Sequence, residues 1–205
     1  MKKETSDTLN PAAVEAAHVV VPPSRRTAAD YVALAVATCG VGLIPIAPGT
    51  WGSAVGLVIY LALGRGAERV FDYAVWNGLD LSPQQFAPIL TTVMLLAVVL
   101  VSLAGTWGAT RCETLLGKKD PGAVVVDEVA GQLITFLFVP WGAGPWAVVV
   151  GFVAFRVFDI WKPYPVRRLE ALKGGLGVMA DDVLAGAYAA TLMSLLATAQ
   201  LFLGA

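Results

Sequence analysis

The sequence predicts an all-α membrane protein, a polytopic helix bundle with about five crossings and one broken or re-entrant segment near residues 44–53. Two observations lead to this prediction. Of the 205 residues, 57% are hydrophobic and only 14% are charged, and the mean hydropathy is +0.71. A water-soluble domain usually carries about 25% charged residues. Several apolar runs also approach or reach the roughly 17–25 residues that a helix needs to cross a bilayer.

The apolar runs define the expected crossings. A further apolar stretch, 31–63, is interrupted by "IPIAPGTWGS", whose prolines and glycines cannot continue a regular helix. Irregular backbone at membrane depth survives only where protein or water covers it, so this break predicts a re-entrant hairpin or a turn that lines a cavity. A simple loop between two short helices is the alternative. The other expected crossings are 88–105, 123–139, 146–160 and 178–203.

The positive charges indicate an orientation. They group before residue 31, after 88–105 and after 146–160, whereas the 64–87 loop has only Arg65 and Arg69. The positive-inside rule then places those three groups in the cytoplasm. Residues 1–27 are expected to form a polar, disordered cytoplasmic tail, and residues 28–205 the membrane domain. The grouped residues are Arg25, Arg26, Arg111, Lys118, Lys119, Lys162, Arg167, Arg168 and Lys173.

Acidic side chains are expected to gather at the cytoplasmic ends of three helices. A charged side chain inside a membrane segment costs free energy on insertion, so such residues usually have a function. Four of these acids could simply complement helix N-termini. Asp159 stands near a helix C-terminus and needs cations, which Arg156 and Lys162 offer at three residues on either side. The acids are Asp127, Glu128, Asp159, Asp181 and Asp182.

Cations next to these acids suit a phosphate with bound Mg²⁺. Arginine grips phosphate oxygens in a bidentate manner, and Mg²⁺ takes carboxylate and phosphate oxygens. Two glycine-rich segments, "APGTWGS" and "KGGLGVMADD", offer backbone N–H groups at helix entries as anion cradles. Either segment could also merely turn the chain.

Several mechanisms are excluded by the residue types present. The single histidine, His18, lies in the polar tail, and neither Cys39 nor Cys112 begins a Cys-x5-Arg loop. No P-loop and no Cys/His zinc site is present, and a net charge of −1 gives no basic field for nucleic acid. Metal-assisted hydrolysis by carboxylates remains, with water or an aspartate as the nucleophile.

Four segments, in the same order along the chain, resemble motifs of the phosphatidylglycerophosphatase A family. They are "PIAPGTWGS" (45–53), "VVDEVAG" (125–131), "FRVFDIWKPYPVR" (155–167) and "GGLGVMADDVLAG" (174–186). The resemblance implies a helical, Mg²⁺-dependent enzyme of the bacterial inner membrane. It would remove the terminal phosphate of phosphatidylglycerophosphate at the cytoplasmic face, giving phosphatidylglycerol.

The resemblance also implies roles for individual residues. The five acids named above would be catalytic, and four of them would hold the metal. The metal ligands would be Asp127, Glu128, Asp159 and Asp182. The phosphate or headgroup contacts would be Thr50, Ser53, Arg156, Lys162 and Arg167.

Other functions stay open at this point. Carboxylates and a broken helix also occur in ion- or proton-coupled transporters. A phosphatidyl-group transferase, a non-catalytic assembly subunit and a phosphatase for a sister lipid phosphomonoester are the remaining alternatives. The sequence does not specify the oligomeric state.

Overall fold

The computed structural model describes residues 26–203 and shows seven α-helices and two short 3₁₀ turns, with no β-strand in that range. The predicted all-helical class is therefore confirmed for this part of the chain. The predicted tail, residues 1–27, lies outside the described residues except for its last two. The α-helices are α1 (Ala28–Thr38), α2 (Pro48–Trp76), α3 (Phe86–Leu116), α4 (Val126–Thr135), α5 (Pro145–Trp161), α6 (Val166–Leu169) and α7 (Gly175–Leu203), and the 3₁₀ turns are Val41–Leu43 and Pro83–Gln85.

Two helices within 26–203, α3 and α7, are long and apolar enough to cross a membrane. Their most apolar stretches are only 11% and 22% buried, so neither is enclosed like the core helix of a soluble protein. The five predicted crossings are not confirmed. With 10 residues, α4 is about 15 Å long, half of the roughly 30 Å hydrocarbon core. The apolar run 123–139 is longer than the helix itself, because turns occupy residues 136–138.

The interrupted segment lies earlier than predicted. The first helix ends at Thr38, and α2 begins at Pro48, so the second half of the expected break is helical. Proline suits the first helical position because its missing N–H has no partner there in any case. The expected 64–87 loop is also shorter, since α2 continues to Trp76.

The short helix α4 forms the centre of the bundle. Nine of its ten residues are buried, and it packs most extensively on α7 and α2. Directly after its last residue, the Phe136 ring stacks on the Tyr60 ring, with 4.3 Å between the ring centroids. A helix that is enclosed on all sides can carry polar groups only where neighbouring elements or ligands satisfy them.

Glycines bring the backbones of α4 and α7 into contact. A Cβ atom on Gly186 would lie 2.5 Å from the carbonyl oxygen of Gly131, and one on Gly131 would lie 2.7 Å from that of Asp182. Real Cβ contacts are not that short, so neither position accepts a side chain without a backbone shift. Because Gly131 follows Asp127 by four residues and Gly186 follows Asp182 by four, each contact lies about one turn beyond an acid.

We expect Gly186→Ala to lower the free energy of unfolding by about 1–3 kcal/mol, the usual cost of an overpacked core. A thermal unfolding curve of the detergent-solubilised protein measures this as a lower midpoint. Gly66→Ala on α2 is the matched control, because a Cβ atom there meets no atom within 4 Å. Equal midpoints for the two variants would contradict the close contact between α4 and α7.

Candidate active site

One cavity of about 310 Å³ lies at the ends of α2, α4, α5 and α7. Six acidic and only two basic side chains line it, so the lining is predominantly acidic. The structure brings all five predicted acids together here and adds Asp120, which the sequence analysis overlooked. The charged lining residues are Asp120, Asp127, Glu128, Asp159, Asp181, Asp182, Arg156 and Lys162.

Three of the acids are arranged as ligands for a metal ion. One carboxylate oxygen each from Asp127, Glu128 and Asp182 lie within 4.8 Å of one another. The side-chain atoms Asp127 Oδ1 and Glu128 Oε2 are buried and have no hydrogen-bond partner among the described residues. Buried polar atoms normally have partners, so these oxygens fit a bound cation. An all-oxygen set suits hard cations such as Mg²⁺ and Mn²⁺.

Asp159 lies in the same cavity but outside this cluster. Its Oδ2 accepts a hydrogen bond from Arg156 Nη1 at 2.6 Å, the i,i+3 pairing that the sequence predicts. Arg156 Nη1 also donates to Ser53 Oγ at 3.3 Å, and Ser53 is fully buried. Ser53 in turn donates to the carbonyl oxygen of Gly49. These bonds fix the guanidinium of Arg156 between α2 and α5.

Lys162 does not pair with Asp159 as expected. It directly follows the last residue of α5 and has left-handed backbone geometry (φ 47°), so its side chain leaves the face of the helix. Its Nζ lies 2.6 Å from both Asp181 Oδ2 and Glu170 Oε1. Burial lowers the pKa of Lys162, but the hydrogen bonds and charges of Asp181 and Glu170 outweigh that effect and raise it above its ordinary value. Lys162 is therefore cationic at neutral pH.

The first turn of α2 forms one edge of the cavity. Gly49 and Thr50 line it, and Thr50 is exposed there. A Cβ atom on Gly49 would lie 3.1 Å from Arg156 Nη1 and would collide with Glu128 Oε1. The glycine thus allows the helix N-terminus to approach the acids, and such a terminus favours anions.

The second glycine-rich segment does not form the predicted anion cradle. Gly174, Gly175 and Gly177 are absent from the cavity lining. The N–H of Gly175 donates to Thr110 Oγ1 at 2.9 Å, and Gly177 packs against the carbonyl of Leu172. Here the glycines allow the start of α7 to pack closely. That start also lies before Asp181, so this acid and its neighbour stand in the second turn of the helix.

Arg167 lies apart from the acids. It lines a neighbouring cavity of about 560 Å³, which shares only Lys162 with the acidic one. Sequence reasoning missed Asp120 and Glu170 as members of the site. Both are acids in the loops beside helices that carry predicted site residues, and that proximity was the available signal.

A family model and two relatives carry the same description. A family model described as Phosphatidylglycerophosphatase A matches residues 34–197. The Phosphatidylglycerophosphatase A proteins of Escherichia coli and Haemophilus influenzae are similar to the chain at 31% and 32% identity, over 75% and 73% of it and 76% and 78% of their own lengths. A Bacteroides thetaiotaomicron protein, named as a candidate phosphatidylinositol-3-phosphatase, is 42% identical over 76% of the chain and 86% of its own length. No solved structure matches the chain.

The three-acid cluster predicts binding of a divalent cation, and Asp182→Asn is expected to weaken it. Loss of even an outer partner of a metal ligand costs about 10–100-fold in affinity, so loss of a ligand charge should cost at least about tenfold. Titration with Mn²⁺, followed by its electron paramagnetic resonance signal, measures this without any substrate. Asp72→Asn on the exposed face of α2 is the control. Unchanged Mn²⁺ affinity in Asp182→Asn would refute the cluster as a metal site.

Proposed function

This chain belongs to the phosphatidylglycerophosphatase A family, and from that premise we propose that it is a Mg²⁺-dependent lipid phosphatase. It hydrolyses phosphatidylglycerophosphate to phosphatidylglycerol and inorganic phosphate. The observation that supports this most directly is the buried cluster of Asp127, Glu128 and Asp182, whose unpartnered oxygens suit a hard cation. The comparisons with known proteins lend no support to the alternative of an ion- or proton-coupled transporter.

The residues around the cluster suggest how the phosphomonoester is held. Its oxygens would contact the guanidinium of Arg156 and the first turn of α2, where Thr50 adds a hydroxyl donor. Asp159 and Ser53 position Arg156 through the hydrogen bonds described above. When bound, Mg²⁺ supplies charge neutralisation for the phosphoryl oxygens and a fixed position for the attacking water.

Asp181 is suited to the role of general base. Lys162 fixes its Oδ2, while its buried Oδ1 has no hydrogen-bond partner in the described part of the chain. Water attacks phosphorus and passes a proton to Asp181 Oδ1, and the bond between phosphorus and the glycerol oxygen breaks. The leaving oxygen takes up the proton that Asp181 accepted, directly or through a water molecule, and becomes the hydroxyl of phosphatidylglycerol, so Asp181 is again a carboxylate at the end of the cycle. A carboxylate in hydrogen-bond reach of the water is what such a step requires.

The proposed location is the bacterial inner membrane, with several crossings and the acidic cavity at the cytoplasmic face. The basic residues of the segments 117–125 and 162–174, which follow α3 and α5, lie at the same end of those helices as this cavity, as the positive-inside rule requires. A phospholipid of the inner leaflet presents its phosphate to that face.

A second candidate substrate has support of its own. The relative with 42% identity is named for a phosphatidylinositol 3-phosphate activity. That lipid also carries a phosphomonoester on a polyol headgroup, so the same cavity chemistry applies to it. The choice between the two lipids depends on the headgroup contacts and not on the acids.

We expect purified protein in detergent to release phosphate from phosphatidylglycerophosphate with Mg²⁺ and none with excess EDTA. Asp127→Asn should reduce the rate at least about a hundredfold, because it weakens binding of the cation that would stabilise the transition-state charge, while Asp72→Asn should leave the rate unchanged. Phosphatidylinositol 3-phosphate, assayed in parallel, ranks the two substrates. Folded wild-type protein that releases phosphate from neither lipid under any divalent cation would exclude the phosphatase.

The orientation predicts which loops a membrane-impermeant maleimide reaches. In a background with Cys39 and Cys112 replaced by serine, Lys118→Cys should label only in inside-out vesicles. Asn77→Cys, beyond the other end of α3, should label only in intact spheroplasts. Labelling of both positions from the same side would contradict a crossing by α3.

A further inference from the structure

The cavity next to the acidic one has the opposite charge. It measures about 560 Å³ and is formed by the end of α5, the turn after it and α6. No carboxylate of the described residues lines it, although six line its neighbour. Its lining combines cations with exposed aromatic rings, namely Trp161, Lys162, Tyr164, Arg167 and Arg168.

Two guanidinium groups in this cavity are available to an anion. Arg167 is exposed and makes no side-chain hydrogen bond or ion pair with the described residues. Arg168 stacks over the Tyr164 ring at 4.7 Å and donates to the Tyr164 hydroxyl at 3.0 Å, contacts that orient it without neutralising it. Lys162, by contrast, is already paired with two acids. Arginine pairs of this kind recognise phosphate through charge-assisted hydrogen bonds.

The two cavities share the lining residue Lys162 and are therefore adjacent, so a single ligand that extends past Lys162 would contact both. Such a ligand would carry two anionic groups on a short linker. One of them would need a metal site and the other would need guanidinium groups. The acidic cavity repels a second anion, because its six carboxylates exceed its two cations. The acidic cavity therefore suits an anionic group that binds together with a metal ion, and the cationic cavity suits an anionic group that binds without one.

We infer that the Arg167–Arg168 cavity binds the phosphodiester that joins the lipid headgroup to diacylglycerol, while the phosphomonoester occupies the acidic cavity. This inference rests on the proposed lipid phosphatase function. The polyol of the headgroup then spans the boundary at Lys162. Trp161 and Tyr164, which are 66% and 72% exposed, lie where interfacial aromatic residues meet the start of the acyl chains. The enzyme thus selects lipids that carry both phosphate types.

Binding of the product tests this site without catalysis. Dihexanoyl-phosphatidylglycerol has the diester and lacks the monoester, and dihexanoylglycerol has neither. In calorimetric titrations in a non-ionic maltoside detergent, wild-type protein should bind the first more tightly than the second. The double variant Arg167→Gln/Arg168→Gln should lose about tenfold or more of that affinity. Glycerophosphoglycerol, which has the diester but no acyl chains, separates recognition of the phosphate from that of the chains.

Two further variants exclude trivial causes. Arg167→Gln alone keeps the contact between Arg168 and Tyr164 and should still weaken binding, so the effect does not depend on loss of packing. Arg65→Gln/Arg69→Gln removes the same charge from exposed positions on α2 and should leave binding unchanged. Equal weakening by both double variants would show a general attraction of anionic lipid and would overturn the inference.

Kinetics with phosphatidylglycerophosphate provide a second readout. Contacts to a part of the substrate that does not react are made equally in the ground and transition states, so Arg167→Gln/Arg168→Gln should raise KM and leave kcat nearly unchanged. A fall in kcat with unchanged KM would overturn the diester site. If the wild type binds phosphatidylglycerol through these arginines yet hydrolyses neither candidate lipid, the phosphatase proposal fails and the diester site stands.

Discussion

The backbones of α4 and α7 touch at Gly131 and Gly186, and the position of the acids follows from this contact. Asp127 and Asp182 each precede one of these glycines by about one turn, so the two carboxylates have to converge. Desolvation and mutual repulsion oppose such a convergence. The packing of an otherwise apolar bundle therefore holds together carboxylates that would separate in water, and a bound divalent cation would offset their mutual repulsion.

The rest of the site is organised around that acidic centre by a few long-range polar contacts. Arg156 connects α5 to α2 through Ser53 and is itself neutralised by Asp159. Lys162 connects the end of α5 to α7 through Asp181. Both cations that line the acidic cavity are thus paired with acidic side chains. The guanidinium groups of Arg167 and Arg168 lie in the neighbouring cavity, where they can contact a different part of a ligand.

Sequence reasoning predicts the helical class and five of the acids in the cavity, because acids at either end of an apolar run are visible as a pattern. It places the first glycine-rich segment at the site but misplaces the second, because glycine serves turns and close helix contacts equally well. Only the tertiary partner decides, and for Gly49 that partner is the Glu128 side chain. A signal for the central contact was present: Asp-x-x-x-Gly occurs at both 127–131 and 182–186. The ion-pair partner of Lys162 could not be predicted, because the direction of its side chain depends on the left-handed backbone conformation of Lys162 itself.

The exposed apolar surface of α3 has a consequence for how the site meets its substrate. In the proposed orientation the cavity opens at the membrane surface, so a lipid reaches it by diffusion within the plane of the bilayer. Its acyl chains stay in hydrocarbon throughout, and the cost of about 0.8 kcal/mol for each methylene group brought into water never arises. Saturation then depends on the mole fraction of the substrate among the surrounding lipids, and bulk concentration has no direct influence on the rate.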